Sequence, residues 1–388
     1  MLRSNSLTTS DFHFELPKDR IAQHPAAARD ASRLMTLDRA TGAIGHHRFH
    51  ELPALLRSGD LLVANDTRVL PARLFARVGG REGAGASEGA VGREVEVLLL
   101  RQEPSAAGQH IWSALARPAK ALKPGVHLSF ADPAYHAIVR GWGERGVRHV
   151  EFTAAAGAAA STDADAPAPA ADAPAPAAGA PAFETWLSRV GHVPLPPYID
   201  RPDEPADRER YQTIFARDTG SVAAPTAALH FTEATLAAIR ERGIQVAFLT
   251  LHVGPGTFRP VATEDPHAHA LDPEPYRVPP TAAAAIEQAR ARSARVIAIG
   301  TTSVRALESW ARDGEPTDGA WRDTSLFILP PFEFRVVSGM VTNFHLPRSS
   351  LLMLVSALAG IDRVLHAYGI AVAEGYRFYS YGDAMLVA

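Results

Sequence analysis

The sequence contains no cysteine among its 388 residues. Disulfide bonds, thiolate nucleophiles, iron–sulfur clusters and zinc sites built on cysteine are therefore excluded. Sixteen histidines are present, but no HExxH motif occurs, and the densest group (His46, His47 and His50) is typical of an exposed strand edge. We therefore expect no metal site.

The chain also has little long hydrophobic sequence and little net charge. Its longest apolar run, Leu351–Ile361, is too short to span a bilayer, and its N-terminus lacks the apolar region of a signal peptide. We expect a cytoplasmic protein that does not associate with membranes. A net charge of −3 neither indicates nor excludes nucleic acid, because a local basic patch is what binds phosphates.

Two common nucleotide-binding motifs are absent. The sequence has no Walker loop and no GxGxxG, which disfavours P-loop phosphoryl transfer and hydride transfer on a Rossmann fold. What the sequence does have is an ordinary apolar fraction of 46%. That fraction, over this length, predicts two or three domains with a sizeable core.

The most informative stretch runs from residue 220 to 260. It predicts a loop of small residues, a helix over Thr232–Arg242, and a strand over Gln245–Leu251 that ends in a glycine turn. Thr232 stands where an N-cap belongs, and Gly243 stands where a helix C′ glycine belongs. The strand is a continuous apolar run, as expected for a sheet covered on both faces.

Polar side chains gather where the predicted strands of this region end. Ligands of open α/β sheets bind at such strand ends. The strand Gln245–Leu251 is followed by His252, Gly254, Gly256 and Thr257, and the loop before the helix carries Ser221, Thr226 and His230. Further along, the strand Arg295–Ile299 leads through Thr301, Thr302 and Ser303 into a helix, which is either an anion-binding helix N-terminus or an ordinary cap.

Three histidines lie at predicted strand ends or loops between large apolar residues: His230, His252 and His345. A lone histidine in such a place is usually a hydrogen-bonded core residue. Three of them beside glycine turns and a helix N-terminus favour a site, because histidine is the natural proton carrier near neutral pH. The residues by themselves therefore predict an enzyme that handles a polar, nucleotide-like small molecule.

The fold predicted from these patterns is an α/β domain with a small all-β barrel inserted into it. The α/β domain is assigned to residues 1–69 and 183–388, and the barrel to residues 70–182. Low-complexity insertions near 79–92 and 153–182 are expected to be mobile. Strands after the barrel are expected at Ser325–Leu329 and Arg335–Asn343. The barrel strands are expected at Arg73–Val78, Glu94–Leu100, Ile111–Leu115, His127–Phe130, Ala137–Arg140 and Arg148–Phe152.

Two short segments leave a structural and a functional interpretation open. Asp66 and Arg68 belong to a turn-forming NDTRV sequence, and they serve either that turn or a site. Arg117, Lys120 and Lys123 cluster in ARPAKALKPG, which is either a solvated turn or a loop that contacts phosphates.

Seven segments in order carry a resemblance to a known family. They are NDTRVLPARLF, LPPYIDRPDEPADRERYQT, GSVAAPTAALHFT, TLHVGPGTFRPV, GTTSVRALES, TNFHLPRSSLLMLVSALAG and YRFYSYGDAML. Together they resemble the S-adenosylmethionine:tRNA ribosyltransferase-isomerases of queuosine biosynthesis. The resemblance covers nearly the whole chain apart from the two insertions and the first ten residues.

The resemblance implies a reaction and its substrates. The family transfers the ribosyl part of S-adenosylmethionine to 7-aminomethyl-7-deazaguanine in the wobble position of tRNA and isomerises the sugar. The product is epoxyqueuosine, and adenine and methionine are released. The resemblance also implies an α/β domain with an inserted β-barrel, no permanently bound cofactor and no metal. We expect the partners to be tRNA and S-adenosylmethionine, and the protein to be a monomer.

The chemistry suggests roles for the candidate residues. The sulfonium acidifies the C5′ hydrogens, so His230 or His252 is expected to act as the base, and Asp66 or the other histidine as the proton donor to adenine. For the carboxylate of S-adenosylmethionine we expect Thr301, Thr302, Ser303 and Arg305. The remaining residues predicted to bind S-adenosylmethionine are Ser221, Thr226, Gly254, Gly256, Thr257, Asn343 and His345. Contacts to tRNA are expected from Arg68, Arg117, Lys120, Lys123, Arg208 and Arg210.

The sequence departs from the family pattern in three places. Pro255 stands where the family has a small apolar residue, Asp272 stands where it has a second histidine, and Ala119 replaces a turn glycine. Two other functions stay open: a methyltransferase that uses S-adenosylmethionine on RNA, and an RNA-binding protein without catalysis. The first would be expected to carry a glycine-rich first loop, and the second a larger basic excess.

Overall fold

The structure, a computed structural model, describes residues 7–81, 92–106, 109–155, 182–258 and 261–388, with the side chains of 80, 81, 257 and 258 left out. The two predicted insertions fall largely outside this range, so their mobility stays a prediction. The chain divides into two compact units. The larger contains Met1–Arg68 and Leu195–Ala388, and the smaller contains Val69–Pro194.

The described residues form strands in both units. In chain order they are β1 (Arg33–Leu37), β2 (Ile44–Arg48), β3 (Leu61–Asn65), β4 (Thr67–Val69), β5 (Arg73–Arg81), β6 (Glu94–Gln102), β7 (His110–Arg117), β8 (Val126–Ser129), β9 (Tyr135–Trp142), β10 (Arg148–Ala154), β11 (Asp218–Ser221), β12 (Gln245–Leu251), β13 (Glu274–Arg277), β14 (Val296–Ile299), β15 (Arg322–Thr324), β16 (Gly339–Asn343) and β17 (Ala384–Val387).

The α-helices precede or follow strands of the larger unit, except for one in the smaller unit. They are α1 (Leu52–Leu55), α2 (Phe183–Val190), α3 (Asp207–Arg210), α4 (Glu233–Glu241), α5 (Pro280–Ala291), α6 (Thr301–Arg312), α7 (Ser350–Ala359) and α8 (Ile361–Ala373). Among the described residues, no single helix is long and apolar enough to cross a membrane. The adjacent α7 and α8 reach that length and hydropathy together, but they are bent by 116°.

The larger unit is built on one mixed sheet. Among the described residues its strand order is β15-β13-β12-β3-β14-β16-β17-β1-β2. The four neighbours β12, β3, β14 and β16 run parallel, and β13 and β17 on either side run antiparallel to them. The carboxyl ends of four central strands therefore meet at one edge of the sheet.

The parallel strands are buried on both faces, as their apolar sequence predicted. Leu61 and Val63 of β3 belong to one core cluster, which includes apolar side chains of α5, α6, α7 and α8. Leu62 and Ala64 belong to a second cluster with α1 and α4. This alternation follows from the two-residue period of a strand, and it places helices on both faces of the sheet.

The helix predicted between residues 232 and 242 is confirmed as α4. The Oγ1 atom of its N-cap residue, Thr232, accepts a hydrogen bond from Thr235 N at 3.1 Å. Gly243 follows the helix with a φ of +73°, a conformation in which glycine carries no Cβ penalty. The strand Gln245–Leu251 is confirmed with the predicted bounds as β12.

The smaller unit is a closed barrel, and all six predicted strand positions are confirmed. Its order is β10-β7-β6-β5-β8-β9. Phe183 and Trp186 of α2 pack against Phe152 of β10, with ring centroids 5.1 and 5.9 Å from it. Because these rings belong to the barrel core, α2 lies in the smaller unit, whereas the sequence assigned residue 183 onward to the α/β domain.

The predicted strand Ser325–Leu329 is wrong. Of the predicted strand Arg335–Asn343, only the second half forms a strand. The structure has β15 at Arg322–Thr324 and β16 at Gly339–Asn343. The carboxylate of Glu308, fully buried in α6, accepts hydrogen bonds from the main-chain N–H groups of residues 335–337. A side chain thus satisfies donors that a strand would have paired with a neighbour.

Candidate active site

Polar residues of the larger unit meet where its parallel strands end. Asn65 ends β3, His252 follows β12, Thr301 follows β14, and Asn343 ends β16. A cavity at this edge is lined by Thr226, Thr301, Thr302, Thr342, Asn343 and His345, together with small apolar residues. Five of these six polar residues are among those predicted from the sequence to bind S-adenosylmethionine.

Asn343 offers an unused acceptor at this cavity. Its Nδ2 atom donates to the carbonyl of Tyr379 at 3.0 Å and lies 3.2 Å from Nε2 of His230. Its Oδ1 atom is buried and has no hydrogen-bond partner within the described residues. Because a buried polar atom without a partner is costly, the geometry suits a ligand that donates a hydrogen bond here.

His230 is a neutral, fully hydrogen-bonded imidazole. Its Nε2 accepts from Asn343, so its Nδ1 carries the proton and donates to Ser32 Oγ at 2.8 Å. Burial, and after it the guanidinium of Arg377, lowers the pKa of His230 to about 3. Its lone pair is therefore both occupied and weakly basic in this arrangement.

His345 is also buried and neutral. Its Nε2 lies 2.8 Å from Oγ1 of Thr342, and its main-chain N–H donates to the hydroxyl of Tyr368 at 3.1 Å. Burial lowers the pKa of His345 to about 3. It can offer a fixed hydrogen bond to a ligand but does not exchange protons near neutral pH.

His252 has a different setting at the end of β12. Its Nδ1 lies 2.8 Å from Oγ1 of Thr67, and its ring stacks on Trp321 with centroids 4.9 Å apart. Trp321 is 44% exposed, and the guanidinium of Arg277 lies 4.9 Å from its ring centroid. A Cβ atom at Gly220 would lie 2.7 Å from Nε2 of His252, so that position accepts only glycine without displacing the ring.

Asp66 lies one residue before Thr67. Its Oδ1 accepts a hydrogen bond from Thr250 Oγ1 at 2.7 Å. Burial raises the pKa of Asp66, and the nearby carboxylate of Asp218 raises it further. This carboxyl group therefore keeps a proton to a higher pH than an ordinary aspartate.

Four other predicted residues use their polar groups in hydrogen bonds or an ion pair within the protein. Ser221 Oγ accepts from Val253 N at 2.9 Å, and Ser303 Oγ donates to the carbonyl of Ile299 at 2.7 Å. Arg305 pairs with the buried carboxylate of Glu274. The other oxygen of that carboxylate accepts from Gly254 N at 2.8 Å. None of the four is among the residues that line the cavity.

The glycine turn after β12 contacts one of the positions that depart from the family pattern. A Cβ atom at Gly256 would lie 2.9 Å from Oδ2 of Asp272, so glycine is needed for this close approach. The side chain of Thr257, also predicted to bind S-adenosylmethionine, is outside the described residues.

Asn65 is the residue of this region that sequence reasoning missed. It is fully buried, and its side chain exchanges hydrogen bonds with both main-chain groups of Leu251, at 2.9 and 3.0 Å. It also donates to Thr302 Oγ1 at 3.3 Å and accepts from Thr67 N at 3.1 Å. It thereby joins β3, β12 and α6. Its position at the end of an apolar run was the available signal in the sequence, but a turn-forming role explained an asparagine there equally well.

The residues predicted to contact tRNA lie in both units. Arg68 and Arg208 are exposed and Arg210 is half-buried in the larger unit, and Arg117, Lys120 and Lys123 are exposed in the barrel. In the barrel, Arg148 donates to the carbonyl of Ala119 at 3.1 Å. Its guanidinium lies 5.6 Å from the ring centroid of Trp142, which is 63% exposed.

Within the part of the chain that the structure describes, no three histidine, aspartate or glutamate side chains come together in a way that could hold a metal ion. The cavity is instead surrounded by hydroxyl, amide and imidazole groups. These groups suit a polar organic ligand.

Comparison with known proteins decides the family. The family model described as queuosine biosynthesis protein matches residues 9–387. This chain belongs to that family. Two relatives are named S-adenosylmethionine:tRNA ribosyltransferase-isomerase. One, from Desulfitobacterium hafniense, is 44% identical over 97% of this chain and 98% of its own length. The other, from Moorella thermoacetica, is 46% identical over the same shares.

A solved structure also matches the chain. It is the crystal structure of an S-adenosylmethionine tRNA ribosyltransferase from Thermotoga maritima, 35% identical, with a TM-score of 0.50. The match covers 98% of this chain and 100% of that one. The family resemblance inferred from the seven sequence segments is therefore confirmed, and the predicted fold class agrees with the structure.

Proposed function

We propose that this chain is the tRNA ribosyltransferase-isomerase of queuosine biosynthesis. It transfers the ribosyl part of S-adenosylmethionine to 7-aminomethyl-7-deazaguanine in the wobble position of tRNA and isomerises it to give epoxyqueuosine. Adenine and methionine leave. The observation that carries this proposal is the match at 44% and 46% identity, over almost the full length of both chains, to relatives named for this reaction.

The cavity at the strand ends is the proposed site for S-adenosylmethionine. The unpartnered Oδ1 of Asn343 would accept a hydrogen bond from a ribose hydroxyl or from the adenine amino group. Thr301 and Thr302 stand at the N-terminus of α6, where main-chain N–H groups and the helix dipole favour the methionine carboxylate. Thr226, Thr342 and His345 complete the polar lining.

His252 is the better of the two proposed bases. The base must take a C5′ proton from carbon next to the sulfonium, which leaves an ylide and a protonated imidazole. His230 is poorly suited because its Nε2 is occupied by Asn343 and its pKa is lowered to about 3 by burial. His252 is held through Nδ1 by Thr67, and the edge of its ring with Nε2 lies close against Gly220.

Asp66 is the proposed proton donor to the departing adenine. The raised pKa that burial gives this carboxyl group favours its protonated form. Donating that proton to a ring nitrogen of adenine would let the base leave neutral, and the carboxylate that remains would be stabilised by the Thr250 hydroxyl. Thr67, the residue after Asp66, contacts His252 directly.

The tRNA surface is proposed to include the exposed basic residues predicted from the sequence. Arg117, Lys120 and Lys123 would contact phosphates from the barrel. Trp142 extends this set with an exposed ring on which an unpaired base can stack. Because tRNA is the proposed substrate, we also propose that the protein acts in the cytoplasm. The monomeric state stays a prediction, which the mass in solution will test.

One assay separates this function from its two rivals. The protein is incubated with S-adenosylmethionine and tRNA carrying the 7-aminomethyl-7-deazaguanine precursor, and the small products are identified by mass spectrometry. We expect adenine and methionine in equal amounts. S-adenosylhomocysteine would instead indicate a methyltransferase. Binding of tRNA without any turnover of S-adenosylmethionine would indicate an RNA-binding protein.

A further inference from the structure

A second cleft in the larger unit lies on the other side of His230 from the cavity. Three arginines from distant parts of the chain line it: Arg29 precedes β1, Arg210 ends α3, and Arg377 precedes β17. His230 and Ser380 also line this cleft. The contact between His230 and Asn343, at 3.2 Å, separates the cleft from the proposed S-adenosylmethionine cavity.

The guanidinium groups are held in place by main-chain carbonyls rather than by carboxylates. Arg29 donates to the carbonyls of Leu229 and Glu209 at 3.3 and 2.8 Å. Arg210 donates to the carbonyl of Ala26 at 2.7 Å. Carbonyl contacts orient a guanidinium without cancelling its charge, so Arg29 and Arg210 keep their positive charges in the cleft.

Two of the three arginines in the cleft have no ion-pair partner in the described part of the protein. Within it, Arg29 and Arg210 form no ion pair with any carboxylate. Arg377 donates to the carbonyl of His24 at 3.3 Å and has only a long contact, 3.8 Å, with Asp383. The Nε atom of Arg210 is buried and has no hydrogen-bond partner among the residues that the structure describes. An orphan donor beside like charges points to an anionic ligand.

Another buried carboxylate, on the helix that carries Arg210, is already committed elsewhere. Asp207, in the same short helix as Arg210, accepts hydrogen bonds from both terminal nitrogens of Arg201, at 2.7 and 2.9 Å. It also accepts from the hydroxyl of Tyr381 at 2.7 Å. Asp207 therefore cannot form an ion pair with the arginines of the cleft without breaking its bidentate pair with Arg201.

We propose that this cleft binds a phosphodiester group of tRNA adjacent to the nucleotide that is modified. The inference rests on the proposed function and adds to it the residues that would hold the RNA backbone at the reaction site. A phosphodiester offers two charged oxygens to several guanidinium forks. The methionine carboxylate of S-adenosylmethionine suits the cleft less well, because the ammonium group beside it would be repelled by three positive charges.

The test uses an anticodon stem–loop RNA that carries 7-aminomethyl-7-deazaguanosine. One version has natural phosphates, and others have a neutral methylphosphonate on the 5′ or the 3′ side of that nucleotide. We expect the wild-type protein to bind one methylphosphonate RNA roughly tenfold more weakly or worse, as for the loss of a charge-assisted hydrogen bond. Arg29→Gln and Arg210→Gln should weaken binding of the natural RNA by a similar factor.

The decisive result is the combination of the two changes. If Arg210 contacts the altered phosphate, Arg210→Gln should lose little or no further affinity with the methylphosphonate RNA, because the two changes remove one interaction. If the affinity losses caused by Arg210→Gln and by the methylphosphonate multiply, the proposal is overturned. Arg240→Gln, which removes an exposed charge on α4, is the matched control and should show the same methylphosphonate effect as the wild type.

Binding of S-adenosylmethionine is measured on the same proteins by equilibrium dialysis. The proposal expects its Kd to stay within about twofold of wild type, whereas a selective loss would assign the cleft to the carboxylate and overturn the proposal. Thermal unfolding identifies any variant that misfolds, and Arg377→Gln then takes its place. Adenine release by the wild type with the natural RNA tests the proposed function separately, so the two failures are distinguishable.

Discussion

Two histidines of very similar sequence context have different surroundings, and only the structure separates them. His230 and His252 both follow or precede glycine-containing polar loops, and the sequence could only nominate both as the base. Which nitrogen carries the proton and which lone pair is occupied depend on partners far away in the chain, such as Asn343 for His230 and Thr67 for His252.

The first prediction concerns the base. We expect His252→Ala to lower the rate constant for adenine release by roughly 10²- to 10⁴-fold, the usual contribution of a general base. His230→Ala should have a smaller effect on that rate constant, because its imidazole is neutral and internally bonded. Single-turnover measurements at saturating substrates check this. A larger loss for His230→Ala than for His252→Ala would reverse the assignment.

The second prediction concerns the glycine opposite His252. In Gly220→Ala the new methyl group would lie 2.7 Å from Nε2, so the ring must move. We expect kcat to fall at least tenfold, since small misplacements of a catalytic group are costly, while thermal stability changes little. Gly369→Ala in α8, where nothing lies within 4 Å, is the control and should leave kcat unchanged. Equal activity of both variants would contradict the proposed role of His252.

The third prediction concerns the pH dependence of stability. Burial lowers the pKa of both His230 and His345 to about 3, whereas an unfolded histidine takes up its proton near pH 6.5. Acid therefore favours the unfolded state, and each histidine should remove up to about 2 kcal/mol of unfolding free energy between pH 7 and 5. Urea titrations should show a flatter dependence for His345→Gln. An unchanged slope would indicate that His345 is protonated in the native state.

At the scale of elements, apolar patterning predicted most strands and helices, because burial follows side-chain period directly. It failed at residues 325–338, where the buried carboxylate of Glu308 captures three main-chain N–H groups. No local sequence pattern indicates that long-range contact. Asn65 was missed for a similar reason, since its hydrogen bonds with Leu251 replace a piece of strand pairing.

The fourth prediction concerns the pair that supports the glycine turn after β12. Glu274→Gln keeps an acceptor for Gly254 N but leaves the buried guanidinium of Arg305 without its counter-charge. We expect the unfolding free energy to fall by about 3 kcal/mol or more, the usual cost of breaking a buried pair. Glu287→Gln, an exposed change on α5, should be nearly neutral. Urea denaturation of both variants checks this, and equal stabilities would contradict it.

At the scale of the whole molecule, the sequence predicted the inserted barrel and its first boundary, because the spacing of short strands changes near residue 70. The second boundary was placed too early. Helix α2 was assigned to the α/β domain, yet Phe183 and Trp186 pack among barrel aromatics. An amphipathic helix shows which face is buried but does not show which core buries it.

The fifth prediction separates the roles of the two units. All residues of the proposed S-adenosylmethionine cavity belong to the larger unit, and Lys120 and Lys123 belong to the barrel. The double variant with Lys120→Gln and Lys123→Gln should have a higher KM for tRNA. The slope of its tRNA affinity against salt concentration should fall by the amount expected for roughly one to two phosphate contacts. The Kd for S-adenosylmethionine should not change. Steady-state kinetics at several salt concentrations provide the check, and an unchanged KM for tRNA would remove the barrel from the RNA surface.

The place of the insertion has a consequence for protein engineering. The chain leaves the larger unit after Arg68, one residue beyond the threonine whose hydroxyl holds His252. Replacing the barrel with a short linker would therefore also alter the backbone that positions Thr67 against the proposed base. Another RNA-binding domain inserted here must begin beyond Arg68 and preserve the backbone of residues 65–68. Otherwise the inserted domain would be expected to abolish the activity whose RNA specificity it was meant to change.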